Sequence, residues 1–453
     1  MRFRTALVIG LLALGGALWS LPEPTAEAIG KWGKRLAAAG AAGDVDAVRA
    51  IIGKIVEEGE ASDAEDLLDA LPFIPAEDVL DDIMGAFRSF GTDKLDPVFL
   101  DYIDKRKDRD PIGCSCIFRF AEDEPSEKAE GWILAGLDGT ASVTVRNALS
   151  AAVKLKSKRA IPKMIQRLEE LDPKKHRFIV NEIEDALWEL TAQEFDSVED
   201  WKNFWEINKD SLDPKEVWKD NEDKKTSVRK RKRDNDSPEF FGVEILSSNV
   251  MFIIDMSGSM RLWDPAKGEG GSEAGWRERV RMERAKGQLI KAINGLKKSS
   301  KFGVLAYSDR QLKFPEKPKG DVIQIVPAAA GNKKQATKWA SALQAQGLTH
   351  TDEAMQRAFK NKQIDTIMLL TDGAPAKRNQ QDFRALTQQI LQDVARMNKI
   401  RKVKIFTFGF EGPGKLPPNE PAQGQGGAGL PPEVIDFLKK LAGDNGGTYT
   451  PID

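Results

Sequence analysis

The chain has 453 residues, enough for two or three domains, and its composition, 41% hydrophobic and 30% charged, is ordinary for globular protein. Its 68 Lys and Arg oppose 70 Asp and Glu, a formal charge of -2 that gives no general reason to expect nucleic acid or an acidic substrate. At the amino terminus Arg2 and Arg4 precede an apolar stretch from Ala6 to Trp19, and Ala26-Glu27-Ala28 offers a small-residue cleavage site. This is the three-part pattern of a secretory signal, so residues 1–28 are expected to be a signal peptide and the mature chain to be exported, periplasmic or extracellular. The stretch is shorter than the ~20 residues a spanning helix needs. No integral span is expected in the mature chain, with an uncleaved N-terminal anchor as the alternative.

Over 29–212 the apolar residues recur at spacings of three and four. Val45, Val48, Ile52 and Ile55 line one helical face behind Asp44 as N-cap, and Ser62 with Glu65 has the spacing of a capping box. Pro72 and Pro75 mark a break before Val79, Ile83 and Phe87 continue the pattern. Cys114 and Cys116 are the only cysteines; one intervening residue suits a disulfide poorly, and a buried, reduced pair is expected. Val145 to Leu149, running on to Leu168 with Arg159-Ala160-Ile161-Pro162 between two helices, resembles a HEAT-type repeat, and a related pair begins near Phe178. That resemblance implies stacked helix pairs that bury a shared core. Trp188, Trp201, Trp205 and Trp218 follow; Trp201 and Trp205, four apart, share a helix face and read as core or as a lid on the open end of the stack.

Residues 213–240 are charge-rich and nearly free of apolar side chains, as a linker would be. The run Arg229-Lys230-Arg231-Lys232-Arg233 within them is flanked by Asp220, Glu222, Asp223, Asp234 and Asp236, which largely neutralise it. No nucleic-acid partner is expected.

Beyond the linker the period changes. Val250 to Ile254 is a continuous apolar run, suited to a strand covered on both faces, and it leads straight into Asp255-Met256-Ser257-Gly258-Ser259. In parallel sheets ligands bind beyond the carboxyl ends of the strands, which places one carboxylate and two hydroxyls at such a site. Two later segments carry matching oxygens: Gly347-Leu348-Thr349-His350-Thr351 before a helix from Asp352 to Lys360, and Thr371-Asp372-Gly373 after a strand from Ile364 to Leu370. A cage of neutral hydroxyls and one or two carboxylates suits magnesium, or manganese in its place, whereas a soft metal has no Cys or paired His in these loops.

Asp255, Ser257, Ser259, Thr349 and Asp372 together resemble the metal-ion-dependent adhesion site of the von Willebrand factor A family. The order of the surrounding elements fits as well: a helix from Arg277 to Lys298, a strand from Phe302 to Tyr307, the threonine and aspartate loops, and a strand from Val403 to Phe408. The resemblance implies a doubly wound, Rossmann-like α/β domain over 241–453 and a magnesium ion held by those five residues. It also implies an open position for an acidic residue of a protein partner. Two features depart from the family pattern. A Gly-rich, charged insertion, Arg261 to Trp276, precedes the first helix, and His350 stands where the family often has Asn.

The expected architecture is therefore an all-α, HEAT-like half followed by an α/β half, and the expected role is extracytoplasmic, adhesion-type binding of a partner protein. Two other classes compete. A metal-dependent hydrolase would need a general base near the ion, for which His350 and Glu353 are the nearby candidates. A structural envelope protein would use the ion only to hold loops together.

Overall fold

The computed structural model describes residues 30–173, 175–219, 237–265, 275–376, 382–418 and 429–452. The expected signal peptide, the basic run 229–233 and the middle of the insertion, 266–274, lie outside the described residues. Among the described residues no helix is long and apolar enough to cross a membrane.

The amino-terminal half is all helical. After α1 (Lys31–Ala41), Asp44 caps α2 (Val45–Glu58) by accepting from the Ala47 N–H, and Val48, Ile52 and Ile55 are buried as their spacing predicts. The expected Ser62–Glu65 capping box is replaced by a turn at 61–63 in which the Asp63 carboxylate accepts from Glu60 N–H, so Ser62 sits inside the turn and not at a cap. Helices α3 (Ala64–Ala70), α4 (Leu80–Phe90), α5 (Thr92–Arg106), α6 (Pro111–Asp123), α7 (Glu127–Leu137), α8 (Ser142–Lys154), α9 (Ala160–Glu170), α10 (Arg177–Thr191) and α11 (Val198–Asn208) follow. Here α5 packs on α7, α6 on α8, α8 on α10 and α9 on α11. Packing of each helix on the next but one is how helical repeats stack to share a core, consistent with the HEAT-like pattern. An edge-to-face cluster of Phe87, Phe99, Phe120 and Trp132 fills its centre, with Trp132 Nε1 donating to Asp96 Oδ1 at 2.9 Å. Trp201 is buried against Phe195 and belongs to the core, whereas Trp205 is half-buried against the same helical core; Trp218 packs edge-on against Trp188. Cys114 and Cys116 are both buried and free.

The carboxyl-terminal half is a mostly parallel sheet between helical layers. After a short antiparallel pair, β1 (Glu239–Phe240) and β2 (Val243–Glu244), strands β3 (Asn249–Asp255), β4 (Lys301–Tyr307), β7 (Thr366–Thr371), β8 (Lys404–Phe410) and β9 (Tyr449–Ile452) lie in the order β4-β3-β7-β8-β9, all parallel. Antiparallel strands β5 (Gln311–Phe314) and β6 (Val326–Pro327) both pair with the outer edge of β4. In β3, Val250, Phe252 and Ile254 enter one hydrophobic layer while Met251 and Ile253 enter the other. That alternation, with both faces apolar, is why the strand reads as an unbroken apolar run. Strand order reverses at β3, whose neighbours are β4 on one side and β7 on the other; such a switch point opens a crevice beyond the strands' carboxyl ends. Asp255 ends β3 and Asp372 follows β7 at that place.

The two halves touch at the opposite, amino ends of the strands. Arg146 and Asn147 of α8 donate to the backbone oxygens of Asp365 and Arg401. Lys402 reaches Glu122 and Ser150, Lys404 reaches Glu182, Lys362 reaches Glu77 and Arg177 reaches Glu244. Ile400 inserts into the helical core itself.

Candidate metal centre

Asp255 is fully buried. Its Oδ1 accepts from Ser257 N–H and its Oδ2 from Thr371 Oγ1, each at 2.7 Å. The loop leaving β3 and the last residue of β7 therefore hold the same carboxylate. Ser257 Oγ lies 3.0 Å from Ser259 Oγ, and Ser259 Oγ donates to Asp372 Oδ1 at 2.6 Å. The loop is fixed by its backbone: Met256 N–H donates to Tyr307 O, and Gly258 N–H to Gly347 O at 2.9 Å. The second bond ties the serine loop to the threonine loop.

Thr349 joins the group through close approach. A side chain at Gly373 would meet Thr349 Oγ1 at 3.4 Å and Ser259 Oγ at 3.7 Å, so both hydroxyls flank the residue that follows Asp372. The loop is held by Ala376 N–H donating to Thr349 O at 2.9 Å. All five residues singled out in the sequence are thus gathered at the carboxyl ends of β3 and β7. Their side-chain donors are oxygens only, three hydroxyls and two carboxylates, the set a hard divalent cation takes. No cluster of three or more His, Cys, Asp or Glu suited to a metal occurs among the described residues.

Without a cation the site is electrostatically costly. Burial pushes the Asp255 carboxyl up to about 7, with the nearby Asp372 charge adding to the effect. Burial also raises Asp372, opposed by Arg281. A divalent ion would offset both.

Arg281 was not singled out in the sequence. The first helix of this half, α12, spans Arg281–Gly295 and not Arg277–Lys298. Residues 276–279 form a tight turn, and Val280 is drawn into a bridge with Trp263. Arg281 is 1% exposed. It donates to Asp372 Oδ2 at 3.1 Å, to Asp264 Oδ1 at 2.8 Å and to Gly412 O at 2.6 Å. Asp264 also accepts from Arg284 at 2.8 Å. Asp255 and Asp372 are therefore not the only acids close by, and the start of the insertion is packed: Trp263 is buried and its Nε1 donates to Leu416 O. The signal available in the sequence was an Asp within the Gly-rich insertion, Asp264, and two Arg just after it, Arg281 and Arg284. His350 Nδ1 lies 3.5 Å from Glu353, and its Nε2 is buried with no hydrogen-bond partner among the described residues.

Residues 250–374 match the family model of the von Willebrand factor type A domain. Human von Willebrand factor A domain-containing protein 3A is 24% identical over 215 residues, covering 47% of this chain and 14% of that relative. Human inter-alpha-trypsin inhibitor heavy chain H4 is 25% identical over 218 residues, covering 46% of this chain and 18% of that one. The chain thus spans under a fifth of the length of these curated relatives. Among solved structures, a von Willebrand factor type A protein from Catenulispora acidiphila aligns with 21% identity and a TM-score of 0.32, over 46% of this chain and 38% of the other. With the sheet order, the helical layers and the family match in agreement, this chain carries a von Willebrand factor type A domain behind a helical-repeat half, a domain type that typically mediates protein–protein interaction or adhesion.

Proposed function

We propose that the protein is an extracytoplasmic binding protein whose von Willebrand factor type A domain holds one magnesium ion, or manganese in its place. Ser257, Ser259 and Thr349 are the hydroxyl ligands, and Asp255 and Asp372 act directly or through water. The bound ion supplies an exchangeable position that accepts a carboxylate from an acidic residue of a protein partner. The chain's own residues do the rest: Thr371 and the Ser257 N–H orient Asp255, and the Gly258–Gly347 bond keeps the serine and threonine loops in register. Export follows from the signal-like residues 1–28, and the helical half serves as scaffold for the domain. The role is binding rather than catalysis.

The observation that carries this reading is the oxygen-only cluster Ser257–Ser259–Asp372, with hydrogen bonds of 3.0 and 2.6 Å linking residues from two loops. Titration calorimetry of purified protein with Mg2+ and Mn2+ tests it, alongside Asp255→Ala. Saturable binding is expected in the wild type and none in the variant, with the fold retained because a buried carboxylate without its cation is a cost to stability. A pull-down from the native envelope fraction, with and without chelator, tests the partner. Partner binding that survives both chelation and Asp255→Ala would sink the adhesion reading, and substrate turnover lost with Asp255→Ala would make the protein an enzyme.

A further inference from the structure

We infer that Arg281 is an internal counter-cation and positioning residue for the metal centre, and that it sets how much of the ion's charge remains for the partner's carboxylate. The inference rests on the metal site proposed above and deepens it.

Arginine is rarely buried unless its donors are used, and here each guanidinium nitrogen has an acceptor: Asp264 for Nε, Asp372 for Nη1 and Gly412 for Nη2. The acceptors come from three separate segments: the insertion, the aspartate loop and the loop after β8. Lateral freedom is small. A side chain at Gly414 would meet Arg281 Nη2 at 2.9 Å and Leu262 Cβ at 2.8 Å, and the guanidinium lies 5.6 Å over the Phe410 ring.

Two consequences follow for Asp372. Its Oδ2 is committed to Arg281, so Oδ1 is the oxygen presented to Ser259 and the cluster. Its charge is also shared. Asp255, Asp264 and Asp372 oppose Arg281 and Arg284, a balance of -1, where the three carboxylates alone would give -3. An ion held in the less negative surroundings is bound less tightly but keeps more of its own charge for an incoming carboxylate.

Affinity then changes in a direction that a merely structural arginine would not produce. Arg281→Gln should lower the melting temperature in chelator, because buried carboxylates lose their cation, yet raise Mg2+ affinity by about tenfold. It should also widen the melting shift that Mg2+ induces. Arg281→Lys, which keeps the charge, should stay near wild-type affinity. Asp264→Asn should act in the opposite sense to Arg281→Gln, weakening Mg2+ severalfold as Asp372 becomes the one carboxylate facing Arg281; this variant carries the test if Arg281→Gln does not fold. Calorimetry and chelator-versus-Mg2+ melting on the full chain read each outcome. Wild-type protein that binds neither Mg2+ nor Mn2+ overturns the metal reading, and this inference with it. Wild-type binding with Arg281→Gln unchanged or weaker, or with Asp264→Asn unchanged or tighter, overturns the inference alone.

Discussion

Arg146, on a helix of the amino-terminal half, donates through Nη1 to the backbone oxygen of Asp365 at 2.9 Å, just before the first residue of β7. Its Nη2 also donates to Arg401 O, at 3.3 Å, and the side chain is buried. One guanidinium thus closes two carbonyls at the amino edge of a sheet belonging to the other half.

Replacing it with an apolar side chain of similar length leaves both carbonyls without this donor, and Asp365, itself buried, without a nearby cation. Arg146→Met should cost about 3 kcal/mol. Scanning calorimetry should show a lowered transition for the whole chain, or the two halves melting apart. A change below ~0.5 kcal/mol would mean that the contact contributes nothing the halves need.

The raised Asp255 carboxyl gives the metal-free protein a pH signature. Between the ordinary value of 3.8 and about 7, the folded state keeps a proton on Asp255 that the unfolded chain has released. The folded state therefore binds more protons in that window, and this group's contribution to stability declines as pH rises through it. Metal binding needs the carboxylate, so Mg2+ affinity should rise up to about pH 7 and level off above it. Calorimetry at pH 6 in buffers of different ionisation enthalpy should find proton release on binding, and at pH 8 almost none. Equal release at both values would contradict the assignment.

Gly347 sits at φ +85° beside Asp309, and its oxygen accepts from Gly258 N–H. A β-carbon there would be strained by the backbone and would collide with the Asp309 carboxylate. Gly347→Ala should destabilise the fold by about 1–3 kcal/mol and weaken metal binding, because it disturbs the contact between serine and threonine loops. Chemical denaturation and calorimetry on the same preparation check both; a variant with full Mg2+ affinity would show that this contact is dispensable.

Cys114 and Cys116 lie on α6 with no exposed surface, and burial raises both thiols well above their ordinary value. A thiol reagent such as DTNB should leave the folded protein unlabelled and modify two groups after unfolding. Rapid labelling under native conditions would place the helix ends around α6 in a more open arrangement.

The grouping of Asp255, Ser257, Ser259, Thr349 and Asp372 was legible because its pieces obey local rules. A buried strand announces itself by its apolar run, ligands gather beyond strand carboxyl ends, and Asp255, Asp372 and the hydroxyls stand directly after such runs. Strand limits shifted by only a residue or two: Ile364–Leu370 was expected and Thr366–Thr371 is found. Arg281 was illegible for the opposite reason. A charged residue at a helix start reads as solvated, and its burial depends on partners 17 and 91 residues away. The short edge strand β5 was missed as well, since Gln311, Leu312 and Lys313 are at most half-buried and show no buried-strand pattern. Contacts between the halves, such as Lys404 with Glu182, leave no trace in periodicity.

The helical half grips the sheet where β7 and β8 begin, whereas the candidate centre lies where β3 and β7 end. A tether pulled between a ligand at that centre and an attachment on the helical half would load the sheet along its strands, over roughly 20 Å of parallel backbone. Tension in that direction strains many inter-strand hydrogen bonds at once instead of peeling them one by one. Under force in that direction the ionic contacts between the halves should therefore yield before the sheet does.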